Sequence, residues 1–499
     1  MADSPKTFPH PLYEKTVLQP FFKDAEKYYY EPMLAANKTH AVMLYRCGII
    51  TQENAAALLQ AFAQIEADGL ENLGYQSGVE DLFFAMENKI ISLIGAAYGG
   101  NLQLARSRND LGYALTRLAL RPMILQTMSD LTAFRATLLA FARDHINTLM
   151  PGYTHTQPAQ PHTMAHYITG ILSVLERDMS RLVFAYDTNN QSPLGAAALT
   201  GTGFPIDRQL SADLTGFDGV MASTYDGIAT SDNLTDVAAV TNSIGVNLSR
   251  FTKDMLFMAT QESGAIRIDD SFIQISSIMP QKRNPVVLEH IRARISRMIA
   301  YAQGINLQCH NIPFGDTQDI EDEIFPLLFG SLETAQDILE LYTAVMATLT
   351  VNVEHLQARA IAGFTTVTEL ADTLVREANL PFRQAHSIVS GMVTYALQNK
   401  LNPTDLTSDM MKQVSVEKIG REVVLSDEIL KKALDPQAFV DIRTVQGGTS
   451  AIATSAVLDD LEETIHADLE YYDATITKLN IANKRLAEHV QAIINEGTE

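Results

Sequence analysis

Apolar residues recur at three- and four-residue spacing through the middle of this chain, over lengths that only long helices use. From Ile168 one stripe runs Ile171, Leu172, Leu175, Met179, Leu182, Val183 and Tyr186; another runs Val237, Thr241, Ile244, Leu248, Phe251, Met255 and Met258. A third starts after Pro285 with Val287, Ile291 and Ile295, and a fourth runs Leu328, Leu332, Ala335, Leu339, Tyr342, Met346 and Leu349. The fifth, Ile124, Met128, Leu131, Leu138 and Ala142, is interrupted on its own face by Arg135. Five helices of roughly 20 residues or more predict an elongated bundle with nearly (anti)parallel axes. No run alternates apolar and polar residues with β-branched enrichment, so strands are expected to be scarce and the fold class all-α. Glycine and proline, 27 and 18 of 499 residues, are few for so long a chain, which agrees with long helices. Helical patterns are shorter before about residue 111 and after about residue 362. They divide the chain into an amino-terminal helical domain (1–111), a central helical bundle (112–362) and a carboxy-terminal helical domain (363–499).

Lys plus Arg number 37 and Asp plus Glu 59, a net charge of −22. Such a chain repels phosphate backbones and anionic lipid surfaces, so neither nucleic acid nor membrane is an expected partner. Small acidic substrates stay open, because a cleft can carry local positive charge. No window reaches the ~18 uninterrupted apolar residues of a membrane span. Met1 to Lys15 holds three prolines and no apolar run, so no signal peptide is expected. Two cysteines, Cys47 and Cys309, are too few for a disulfide framework or a Cys-rich metal site. A soluble cytoplasmic protein without metal or organic cofactor is the expectation.

Four polar or Gly/Pro-rich segments lie between the helical patterns. Arg106 to Asp110 (Arg-Ser-Arg-Asn-Asp) precedes a long helix, where donors near a helix amino terminus suit a carboxylate or phosphate. The plainer reading is a solvated helix start capped by Asn109 or Asp110. Pro151 to Pro161 contains three prolines and a glycine around His155, a rigid loop able to hold a general acid or base, although histidines in such turns are also ordinary surface residues. Ser276 to Pro285 places two hydroxyls and two cations ahead of the helix that carries Glu289, with Asn284 as its expected cap and Pro285 at its first position. Such a loop can stabilise a carbanion and host an ionised serine. Pro193 to Arg208 is Gly- and Ala-rich, which suits close packing better than phosphate binding. No G-x-S-x-G elbow or Walker lysine is found.

The loop Ser276-Ser277-Ile278-Met279-Pro280-Gln281-Lys282-Arg283-Asn284-Pro285 resembles the fumarase/aspartase superfamily signature G-S-S-x-M-P-x-K-x-N-P, in its argininosuccinate lyase version. Arg106 to Asp110 is similar to that branch's R-S-R-N-D, Pro151 to His155 to its P-G-Y-T-H, and Pro193-Leu194-Gly195 with Phe204 to Arg208 to its P-L-G and F-P-x-D-R. The resemblance covers nearly the whole chain. It implies an all-α homotetramer whose active sites each draw on three subunits, and an anti elimination releasing fumarate from a succinyl group attached through nitrogen. It implies Ser276 as the base, Lys282 and Asn284 stabilising the doubly charged carboxylate intermediate, and His155 with Glu289 assisting proton transfer or charge balance. Thr154, Ser107 and Asn109 would bind substrate carboxylates, with Arg108 close by.

The chain departs from that pattern in places. Ile275 stands where a glycine precedes the serine pair, Phe83 where E-D-x-H has histidine, and Gln103-Leu104-Ala105 where H-T-G is usual. In Pro313 to Ile324, Asp316, Glu321 and Ile324 replace the tyrosine, glutamine and lysine that help hold the arginine half. Asp316 and Glu321 are thus expected beside the leaving group, and the exchange suits a cationic amine or guanidinium without requiring arginine. An aminopolycarboxylate lyase acting on ethylenediamine-disuccinate-like compounds is the alternative. A non-enzymatic crystallin-like protein is a second one, disfavoured because a structural role has no need of Ser276, His155, Lys282, Asn284 and Glu289.

Overall fold

The computed structural model describes residues 8–496; residues 1–7, on which the expected lack of a signal peptide partly rests, lie outside the described residues. Three helices open the fold: α1 (Gln19–Arg46), α2 (Gln52–Asp68) and α3 (Leu82–Ile94). The side chains of Thr51 and Asp81 cap α2 and α3 by accepting the Asn54 and Phe84 N–H groups, which otherwise have no intrahelical partner. Next come α4 (Arg108–Asp144), a hairpin of β1 (Leu149–Thr154) and β2 (Gln157–Thr163), α5 (Met164–Asn189), α6 (Arg208–Thr215) and α7 (Asp232–Met258). The small pair β3 (Gln274–Ile275) and β4 (Arg283–Asn284) precedes α8 (Val286–Cys309) and α9 (Phe325–Thr348). The five expected helices are α4, α5, α7, α8 and α9, and their apolar stripes are their buried faces. They close a ring: α4 packs on α5, α5 on α7, α7 on α8, α8 on α9, and α9 back on α4. Strands are few and short, all in two-stranded pairs among the described residues.

Helices α10 (Val367–Ala378), α11 (Phe382–Asn399), α12 (Ser408–Ile419) and α13 (Asp427–Leu434) surround a second, separate core that includes Leu374, Ile388, Met392 and Leu430. The expectation that helices stay short after residue 362 fails at α14 (Ala451–Glu496), 46 residues long. Its buried anchors Leu458, Leu461, Ile465, Leu486 and Ile493 are sparse among acidic and basic residues, which hides the stripe. It joins the main core, against α2, α4, α5 and α6. No helix among the described residues is long and apolar enough to cross a membrane.

Buried arginines of α4 tie this arrangement together. Arg117 donates to the Thr188 and Asn189 carbonyls at the end of α5, and Arg121 to the Thr215 carbonyl at the end of α6. Each meets a helix carboxy terminus, where orphan carbonyls and the dipole favour a cation. Burial pushes both guanidiniums down to about 10. Arg135, the residue that interrupts its own apolar stripe, is wholly buried and reaches α14, pairing with Asp468 and donating to Thr464 Oγ1 at 2.8 Å. Removing one partner of a buried pair strands the other charge, at a cost of roughly 3 kcal/mol here, whereas replacing the buried cation by an apolar side chain of similar length removes the penalty with it. Asp468→Ala is therefore expected to lower Tm more than Arg135→Met does, by thermal denaturation at neutral pH; the reverse order would show that the pair does not dock α14.

Candidate active site

The segments singled out in the sequence are junctions: three lead into the bundle helices α4, α5 and α8, and Pro193 to Arg208 leads into the short α6. At Ser107 the chain leaves an extended conformation and enters α4 through a capping box: the Asn109 N–H donates to Ser107 Oγ (3.3 Å) and the Ser107 N–H to Asp110 Oδ1 (2.9 Å). The cap is thus Ser107, not the expected Asn109 or Asp110. Ser107 Oγ donates to Asn109 Oδ1 (2.9 Å), and Asn109 Nδ2 donates to the Ala198 carbonyl (3.2 Å). Arg108 lies over the Phe84 ring and donates to Asp81 Oδ2 at 2.8 Å, with Glu80 at 3.4 Å. The Pro193 to Arg208 segment is a clasp behind this end, as its small residues suggested. The Gly195 N–H donates to Asp110 Oδ2 (2.8 Å), and Arg208 Nε donates to the Leu194 carbonyl (2.8 Å). Gly195 has φ +86°, and a Cβ there would lie 2.7 Å from Arg208.

Glu321 and Asp316 stand at the same end. Glu321 Oε1 occupies the space left by Gly112 on the first turns of α4, where an added Cβ would meet it at 2.8 Å. Burial, then Asp322 and Asp316, push Glu321 up to about 8, against the pull of Arg108. Burial and Asp81 push Asp322 up to about 7, and burial raises Asp316. Ile324 is completely buried in the main core, so this chain has a core position where the resembling family has a lysine. Asp322, and Tyr113 beside Gly112, were missed in the sequence. A tyrosine in an apolar helix and an acid next to Glu321 were the only signals.

The other segments occupy the opposite end. The expected Pro-rich loop is a hairpin whose two-residue turn is His155-Thr156, at φ 52° and 64°. A two-residue hairpin turn of this type requires left-handed backbone at both positions, and here it is carried by two non-glycine residues, one of them β-branched, which is costly. Thr154 and His155 are exposed. Ser276 to Lys282 form the loop between β3 and β4. Ser276 Oγ accepts the backbone N–H groups of Ile278 (3.3 Å) and Met279 (3.1 Å), the contacts that favour an ionised oxygen. Asn284 Nδ2 donates to the Gln274 carbonyl (3.1 Å) and does not cap α8; Pro285 takes the cap position without a side-chain bond. Arg283 pairs with Asp270, Lys282 is exposed, and Glu289 lies on the exposed face of the first turn of α8. No hydrogen bond or ion pair joins His155 to Glu289 or Ser276 within the chain.

Helix length makes the separation quantitative. α4 has 37 residues, so its ends are roughly 55 Å apart. Ser107 and Asn109 sit at its start, whereas Thr154 and His155 follow its end. A six-residue strand folded straight back recovers only about 20 Å. The Ser276 loop shares the hairpin's end, because Tyr153 meets Phe257 at the end of α7 (centroids 5.4 Å). Asp316 and Glu321 follow the far end of the 24-residue α8, roughly 36 Å from its start.

The acidic end yields a stability prediction. A carboxyl kept neutral by the fold holds a proton that the unfolded chain, with an ordinary value of 4.5, has released. Stability therefore falls as pH rises from that value towards about 8 and levels off above it. Glu321→Gln removes this slope, so its gain in Tm over wild type should be larger at about pH 8.5 than at about pH 5. Equal shifts at both would mean Glu321 is not held neutral.

Residues 21–300 match a family model described as lyase, and residues 364–441 one described as argininosuccinate lyase C-terminal. The chain is 33% identical over 472 residues to the argininosuccinate lyase of Methanococcoides burtonii, covering 95% of each. It is 32% identical over 483 residues to argininosuccinate lyase 1 of Shouchella clausii, covering 97% of each. Among solved structures, an EDDS lyase in complex with formate superposes with a TM-score of 0.88 at 29% identity, over 96% of this chain and 97% of that one. The class II fumarase of Schistosoma mansoni, 16% identical with a TM-score of 0.67 over 82% of this chain and 89% of its own, shares the fold. The chain belongs to the argininosuccinate lyase family of the fumarase/aspartase superfamily.

Proposed function

We propose that the protein is a carbon–nitrogen lyase that releases fumarate from an N-substituted L-aspartate, with argininosuccinate, giving arginine and fumarate, as the substrate its relatives point to. The observation that carries the reading is Ser276 Oγ beneath two backbone N–H groups, inside the loop that carries Lys282 and Asn284. A proton beside a carboxylate is very weakly acidic, so its removal needs a strong base and prearranged donors for the charge that develops. Ser276, as the alkoxide, takes that proton. The electron pair moves into the neighbouring carboxylate, which Lys282 and the second Nδ2 hydrogen of Asn284 stabilise. The pair then returns to form the double bond, the carbon–nitrogen bond breaks on the opposite face, and the leaving nitrogen takes a proton. His155, backed by Glu289, manages that proton or the balance of charge. Thr154, Ser107 and Asn109 hold the carboxylates, Arg108 braces the start of α4, and Asp316 and Glu321 face the leaving half.

One chain keeps these groups at opposite ends of α4 and α8, so the reading requires several chains per site and a homotetramer is proposed. Exposed Phe184, Val246 and Leu307 on α5, α7 and α8 offer apolar surface for such an assembly. Within the same superfamily, the EDDS lyase likeness supports an aminopolycarboxylate as a second substrate reading.

Ser276→Ala tests the reading. The serine is in an exposed loop, so helix content and assembly should match wild type while fumarate release from argininosuccinate or an aminopolycarboxylate falls to the background. Retention of more than about a tenth of the wild-type rate, a loss under ~1.4 kcal/mol in barrier terms, would show that Ser276 is not the base.

A further inference from the structure

Among the described residues, the acidic end of the bundle holds three buried oxygens without partners, Asp316 Oδ1, Thr317 Oγ1 and the Tyr113 hydroxyl, beside the unpartnered Nε of Arg117. Tyr113 is only 8% exposed and lines one recess with Glu321, Thr230 and Asn233. Asp316 and Glu321 are the charges that act on it most strongly. Buried polar atoms are nearly always paired in native folds, so orphans gathered at one place ask what ligand would complete them. All three oxygens, Asp316 Oδ1, Tyr113 Oη and Thr317 Oγ1, can accept from an N–H donor.

The charges around the recess are uneven. Asp81, Asp316, Glu321 and Asp322 act on one another there. The cations are already engaged: Arg108 pairs with Asp81 and Glu80. Arg117, which also lines the recess, donates to the Thr188 and Asn189 carbonyls and has Asp232 and Asp226 acting on its charge, with Nε left over. Ile324, which follows the acidic segment, is fully buried in the main core and brings no cation to it.

We propose that Asp316, Thr317, Glu321 and Tyr113 receive the leaving half of the substrate through a positive charge on it, a guanidinium or alkylammonium, and make no use of a carboxylate on that half. The proposal rests on the lyase reading above and deepens it. A bound cation donates N–H groups to Asp316 and Glu321, favours their ionised form, and gives the Tyr113 hydroxyl oxygen an N–H donor. A carboxylate brought to the same place meets Asp316, Glu321 and Asp322 instead.

The test compares fumarate release from argininosuccinate and from its decarboxylated counterpart, the same succinylated guanidine on an aminobutyl chain. For the wild-type assembly, kcat/KM for the decarboxylated compound is expected to equal or exceed that for argininosuccinate. Assayed at about pH 8.5, where Glu321 is largely ionised, Glu321→Gln weakens both the attraction for the cation and the repulsion of the carboxylate, so it should shift the ratio of the two kcat/KM values towards argininosuccinate by about tenfold. A defect of folding alone lowers both alike. Tyr113→Phe should raise KM for the decarboxylated compound with little change in kcat. A wild-type preference for argininosuccinate of about tenfold or more, or a ratio that Glu321→Gln leaves unmoved, overturns the proposal and leaves the lyase reading standing. No fumarate from either compound or from N-aminoethyl aspartate, with the assembly intact, overturns both.

Discussion

The rigid length of α4 sets the terms for everything chemical in this protein. Thirty-seven residues of uninterrupted helix hold Ser107 and Asn109 roughly 55 Å from the start of the hairpin that carries Thr154 and His155. The helix cannot bend to bring them together, because its length is built into the core. Arg117 and Arg121 fasten it to the ends of α5 and α6, Arg135 fastens it to α14, and α5 and α9 flank it in the ring. Each chain therefore keeps these two groups of candidate residues at opposite ends of the bundle, in surroundings of different character.

The two ends differ in how they are built. The Ser276 and His155 end consists of exposed hairpins, with strained backbone at His155 and Thr156 and with Ile275 and Ile278 open to solvent. Such surfaces are suited to completion by a neighbour and to movement around a substrate. The Ser107 end is half-buried and prearranged: the capping box, the clasp of buried Asp110 to Gly195 and the ion pair of Arg108 with Asp81 fix the start of α4. Glu321 fits against it only because residue 112 has no side chain. Burial and mutual repulsion push Glu321 up to about 8 and Asp322 up to about 7, so a cation brought beside them would favour their ionised forms.

Much of this was legible in the sequence, for definite reasons. The five bundle helices announce themselves because each buries a long apolar stripe, broken only at Arg135 on α4. The segments at Ser107, His155 and Ser276 stand out because their polar, Gly- or Pro-rich chemistry does not fit the helices around them. Arg135 was visible as an anomaly, but its partner Asp468 lies 333 positions away and no local pattern connects them. α14 was missed because its apolar anchors are spread thinly along 46 residues of mostly solvated surface. The cap residues went wrong where two candidates compete. Asn284 has the right chemistry to cap α8, yet its amide is engaged by Gln274 across the small β3–β4 pair. Tyr113 and Asp322 acquire meaning only when α4 and the segment before α9 are brought side by side.

Complementation between the two ends tests the central claim most directly. Asn109→Ala removes a group at one end, and Ser276→Ala removes the proposed base at the other. If each site takes its two ends from different chains, subunits of the two inactive variants, unfolded and reassembled together, form some sites in which both ends are intact. Fumarate release should then return in the mixture and be absent from either variant reassembled alone. Verified mixed assemblies with no recovered activity would contradict the account, and so would a fully active monomer.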